Sequence, residues 1–197
     1  MVIGAYAWSA KSGRVESGSL KAENNYYNLL VQGFRSGQLN LKREVPSELA
    51  HLPDSYDPVA NSAYWLMEHQ LLDLSYYQGK LYLYFGVTPA LLLFWPYVVL
   101  TGHYLLYNDA VVIFFSVAFL TSVGLLWAVW RRYFAEVSVG VVVAAALAVG
   151  LANFTLACLQ RCDVYEVAMS CGYALMMVTL VLVWQALHAR RGGAWWL

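Results

Sequence analysis

The stretch AVVIFFSVAFLTSVGLLWAVW, from Ala110 to Trp130, contains no charged residue and has the roughly 20-residue length that a bilayer's hydrocarbon core demands of a spanning helix. Two further runs share that character, Val137 to Leu159 and Val167 to Leu187. The composition agrees with a lipid solvent: 60% of the 197 residues are hydrophobic, 16% aromatic and only 12% charged. A soluble domain of this length is more polar. The expected fold class is therefore an all-α membrane protein with three firm transmembrane helices over about 110–130, 137–159 and 167–187.

Upstream, Thr88 to Leu100 is a shorter apolar run with Pro89 at its start, where a missing N–H is harmless, and Pro96 interrupting it. Phe94, Trp95 and Tyr97 cluster there, as aromatic residues do at membrane interfaces. The run suits either an interfacial or a kinked spanning helix. Its length and Pro96 favour the interfacial reading.

Charge sets the orientation. Lys and Arg number 12, as do Asp and Glu, and the net charge of zero gives no electrostatic case for a nucleic-acid partner. The pairs Arg131/Arg132 and Arg190/Arg191 flank the first and third spans and mark cytoplasmic ends. With Thr88 to Leu100 along the surface, residues 11–109 form one extracytoplasmic region on the same side as the loop Gln160–Glu166; with that run crossing, residues 11–86 are cytoplasmic. The domain division expected is 1–87, an extracytoplasmic loop region, and 88–197, a membrane domain.

The loop region is too aromatic for a disordered tail. Tyr26 to Phe34 reads as an amphipathic helix with Tyr26, Leu29, Leu30 and Phe34 on one face, ended by Gly33 and Gly37. Pro46 to Pro58 is rich in turn formers. Leu74–Tyr77 and Leu81–Phe85 flank Gln78-Gly79-Lys80 as a small β-hairpin, which needs a packing partner to be stable. Met1–Ala10 is apolar but too short to span. It lacks the basic start of a signal peptide; if it is the tail of a spanning helix, the true beginning lies upstream. Cys158, Cys162 and Cys171 read as apolar filler.

No phosphate-cradling glycine loop, zinc-spaced Cys/His cluster or nucleophile elbow occurs. The remaining chemistry lies in acids at membrane edges: Glu23 before the amphipathic helix, and Asp163 and Glu166 where the last span begins. Such acids serve as general bases or as ligands of a hard divalent cation. The structural alternatives are a favourable macrodipole contact for Glu166 and a surface pair of Asp163 with Arg161. Asp54, Asp57 and Asp73 read as turn and cap residues. His51, His69 and His103 read as isolated.

The segments Glu23-Asn24-Asn25-Tyr26-Tyr27-Asn28-Leu29-Leu30, Gly33-Phe34-Arg35-Ser36-Gly37-Gln38-Leu39, Leu81 to Pro89 and Val164-Tyr165-Glu166-Val167-Ala168 resemble large bacterial membrane proteins associated with the GT-C superfamily of membrane glycosyltransferases. The resemblance implies transfer of a sugar from a polyprenyl-phosphate carrier on the extracytoplasmic face of the bacterial inner membrane. It implies catalytic acids at Glu23 and at Glu166 or Asp163, with a divalent metal in some members held by Glu23 and Glu166. Tyr26, Tyr27 and Tyr84 would contact acceptor or carrier. That family usually carries Asp at the first position, a leading transmembrane helix and more spans, so the chain is expected to be an N-terminal fragment, whose activity alone the resemblance leaves open. The alternative expectation is a non-catalytic membrane scaffold or subunit whose aromatic loop binds a partner. A transporter is disfavoured, because charges within the spans are missing.

Overall fold

The computed structural model describes residues 1–13, 21–57, 59–60, 62, 71 and 73–188. Pro58, His69 and the Arg190/Arg191 pair lie outside the described residues. In chain order the elements are α1 (Val2–Ser12), a 3-10 turn (Ala22–Asn24), α2 (Tyr26–Arg35), α3 (Ser47–Ala50), β1 (Leu74–Tyr77), β2 (Lys80–Leu83), a wide π-helical turn (Ala90–Phe94), α4 (Trp95–Thr101), α5 (Tyr107–Tyr133), α6 (Val139–Leu151), α7 (Thr155–Gln160) and α8 (Val164–His188). The fold is mostly helical, and the described residues form two compact units: one holds α1 and α5–α8, the other everything from Lys21 to Leu106.

In the first unit, α5 and α8 run for 27 and 25 residues. At 1.5 Å per residue each exceeds the roughly 30 Å of a hydrocarbon core. Both are long and apolar enough to cross a membrane, and only 33% and 22% of their most apolar windows are buried within the protein. A core helix of a soluble protein would have protein around most of that surface. Instead Val117, Leu120, Trp127, Met176, Leu180 and Leu187 stay exposed.

The expected third span, 137–159, is not one helix. It is α6 followed by α7, with a break at residues 152–154. The cause is Asn153: its Nδ2 donates to Val149 O at 2.6 Å, and its Oδ1 accepts the N–H of Thr155 at 2.9 Å. One side chain thus ends α6 and starts α7, the competition with backbone bonding that short polar side chains offer.

Helix α1 packs on α5, α6 and α7. Tyr6 is buried; its ring meets Phe115 and Phe119 edge-on at 6.5 and 6.2 Å, and its hydroxyl donates to Gly150 O at 2.7 Å. The approach needs a glycine, because a Cβ on Gly150 would stand 2.8 Å from both Val2 and Phe119.

In the second unit, α2 ends at Arg35, so Gly33 is inside it and Gly37, with φ 76°, follows it. Gly33 is an interior residue because its Cα lies against the carbonyl of Asn40. The helix is also buried more widely than a single stripe. Leu29 joins Leu41, Leu49, Leu71, Leu74 and Leu81 in one cluster, whereas Tyr27 stacks on Phe94 at 5.2 Å.

That cluster is the packing partner the hairpin requires. The strands are antiparallel, with Leu74 opposite Leu83 and Tyr77 opposite Lys80. Lys80 belongs to β2, so the loop is two residues, Gln78 and Gly79, at φ 47° and 72°. Positive φ at both central positions matches the twist of the strands. Leu41 donates its N–H to Leu81 O, and Lys42 to Leu29 O. These two bonds tie the hairpin to α2.

The run expected over 88–100 is helical over Ala90–Thr101, about 18 Å at 1.5 Å per residue and too short to cross a bilayer. Pro96 does not interrupt it. The wide turn Ala90–Phe94 precedes the proline, and such a turn suits a residue that cannot supply a regular helical N–H. Phe94 packs on α2, so this helix groups with the loop region and the unit boundary falls at Leu106.

Candidate functional site

Glu23 sits in the 3-10 turn Ala22–Asn24, just before α2. Two residues one helical turn apart on α2 hold that turn from behind. Asn28 Nδ2 donates to Ala22 O at 2.7 Å, and Gln32 Nε2 donates to Glu23 O at 2.8 Å. The same Asn28 amide donates to Leu105 O at 2.8 Å. Asn28 is fully buried, so one side chain bridges the backbone of Ala22 to that of Leu105, which lies 77 residues beyond Asn28 itself.

Between those two segments lies a cleft of about 450 Å³, lined by Lys21, Ala22, Glu23, Gly102, His103 and Tyr104. Its second wall is fixed by the end of α4: Gly102, at φ 74°, donates to Val98 O, and Thr101 Oγ1 accepts the N–H of His103 at 3.2 Å. The Glu23 side chain is exposed at this cleft. A solvated carboxylate beside an ammonium and an imidazole can take a proton from a bound hydroxyl while the ammonium attracts an anionic group. Among the described residues no group of three or more His, Cys, Asp and Glu is placed to hold a metal ion, so no step through a metal is derived.

The sequence singled out Glu23; the cleft adds Lys21, His103 and Tyr104, and Asn28 holds the turn behind it. His103 read as isolated because its companions lie some 80 positions away, with no local spacing to announce them.

Asp163 and Glu166 are partners of each other. Glu166 is 7% exposed. Its Oε2 accepts the N–H of Asp163 at 3.3 Å, and Asp163 Oδ1 accepts that of Val164 at 2.7 Å. Asp163 O accepts the N–H of Val167 at 3.1 Å, which makes Asp163 the cap of α8 and Glu166 the back-reaching residue of a capping box. Arg161, expected to pair with Asp163, stands 3.9 Å from Glu166 Oε1. Burial, and then the negative charge of Glu166, push the nearby Cys162 thiol up to about 12. That thiol stays protonated and unreactive.

The three tyrosines fall in different environments. Tyr26 is half-buried, with the Arg43 guanidinium 6.0 Å from its ring centre. Tyr27 is 0% exposed, a core ring stacked on Phe94. Tyr84 is 73% exposed, with one edge on Phe85. Of the three, Tyr84 offers the most ring surface to a ligand.

Comparison with known protein families, with curated proteins and with solved structures finds no match to this chain.

Proposed function

We propose that this chain is an integral membrane protein of the GT-C glycosyltransferase kind, moving a glycosyl group from a polyprenyl-phosphate donor on the extracytoplasmic face, with Glu23 as the reacting acid. The observation that carries the reading is the exposed Glu23 carboxylate in a cleft it shares with Lys21 and His103. In the reaction, Glu23 takes the proton of the acceptor hydroxyl, whose oxygen bonds the anomeric carbon as the bond from that carbon to the phosphate oxygen breaks. Lys21 and His103 draw the departing polyprenyl phosphate. Asp163 and Glu166, engaged with each other at the start of α8, fix that helix in this reading.

The membrane placement draws on the length and apolar surface of α5 and α8. Helices α6 and α7 together make a third, broken crossing. That crossing returns α8 to the side on which α5 ends at Arg131/Arg132, as short-loop charge prefers.

The test is glycosyl release from polyprenyl-phosphate-linked sugars by the reconstituted chain. Glu23→Gln is expected to lower turnover by about 100-fold or more, the usual worth of a positioned base. Glu166→Gln, which keeps an acceptor oxygen, retains most of it. No turnover by the wild-type chain, or equal turnover in Glu23→Gln, contradicts the assignment.

A second reading, a non-catalytic membrane subunit, is favoured by the hairpin region's exposed rings, Tyr56, Tyr77 and Tyr84, which suit a protein partner. That reading expects no turnover and loss of partner capture on Tyr84→Ser.

A further inference from the structure

The second unit carries an apolar groove of about 370 Å³, lined by Phe34, Gly37, Gln38, Leu39, Val87, Leu91 and Trp95. We infer that this groove seats one acyl chain of an anionic glycerophospholipid, with Arg35 beside the headgroup. Its volume lies within the roughly 300–1,000 Å³ typical of small-molecule sites.

The lining selects the occupant. Of the seven lining residues, only Gln38 and Trp95 carry a polar side-chain group, and Trp95 only a single N–H donor. A peptide strand or a second copy of the chain would bring backbone N–H and C=O groups needing partners, and burying them unpaired is costly. A hydrocarbon chain brings none. Phe34 and Trp95 stand 5.5 Å apart, centre to centre, as two flat carbon surfaces on the wall. Leu39 is 77% exposed, an unfavourable state in water that a hydrocarbon chain along the groove relieves.

The groove also continues a larger apolar surface. The helical run Ala90–Thr101 buries Ala90, Phe94 and Val98 and exposes Leu91, Leu92, Val99 and Leu100, so its outward face is as apolar as its inward one. Leu91 belongs to both face and groove. Trp95 and Tyr97 are the ring types that settle at headgroup depth. Arg35, which follows Phe34 at the end of α2, is exposed and supplies the charge complement to an anionic headgroup. The inference rests on the membrane reading but not on glycosyl transfer.

The experiment uses the full chain in vesicles of equal parts phosphatidylglycerol and phosphatidylcholine. A photoreactive benzoylphenylalanine replaces Leu39 in one sample and Leu100, 84% exposed, in another; mass spectrometry then identifies the adducts. At 39 the expected adduct is lipid, favouring phosphatidylglycerol about fivefold, the worth of one basic side chain near an anionic headgroup. Arg35→Gln brings that ratio to one. At 100 the adducts are lipid without preference. A protein adduct at 39, no lipid adduct there, or the same lipid ratio at both positions overturns the groove site. Absence of lipid at 100 as well removes the membrane placement beneath it, whereas a glycosyl-transfer failure leaves these adducts unchanged.

Discussion

Glu166 Oε2 accepts the backbone N–H of Asp163 at 3.3 Å. The two acids at the head of α8 are therefore engaged in starting the helix, which sets their chemistry apart from that of the solvated Glu23. Asp163→Ala and Glu166→Ala are each expected to cost about 1 kcal/mol. Glu166→Gln costs less, since an amide oxygen still reaches the cap. Thermal unfolding of the purified variants in detergent checks the order; equal losses for Gln and Ala would dismiss the capping role.

Tyr6 links α1 to the end of α6 through its bond to Gly150 O. Tyr6→Phe is expected to lose about 1–2 kcal/mol at neutral pH, one buried hydrogen bond with its carbonyl left unmet. Denaturant titration of the two purified proteins checks the loss, and equal midpoints would refute the assignment.

Asn28 bridges the carbonyls of Ala22 and Leu105. Asn28→Ala is expected to cost about 2–3 kcal/mol, two buried bonds at once, and to free the turn bearing Glu23. Limited trypsin digestion should cut after Lys21 faster in the variant than in wild type, and an unchanged rate would show that the turn holds without Asn28.

Much of the fold was legible because it depends on local pattern. The amphipathic spacing from Tyr26 and the Gln78-Gly79 turn announce α2 and the hairpin nearly to the residue. The uncharged runs announce α5 and α8. The break in 137–159 was hidden because Asn153 is one polar residue in an apolar run, and whether its side chain bonds backbone is not visible in hydropathy. Pro96 misled in the opposite sense, since a wide helical turn accommodated it. At the site, Glu23 was found as an acid next to a helix start. His103 and Asn28 matter through contacts across some 80 positions, which spacing cannot reveal. Asp163 and Glu166 stand at the three-residue spacing of a capping box, a signal present in the sequence.

The central claim, a polytopic membrane protein with α6 and α7 together forming a crossing, is tested most directly by labelling single cysteines with an impermeant maleimide in a background lacking the three native ones. Ser138 and Gln160, both exposed, flank that segment. The account predicts that Gln160→Cys reacts in intact spheroplasts, whereas Ser138→Cys reacts only after permeabilisation. Labelling of both from the same side would contradict it.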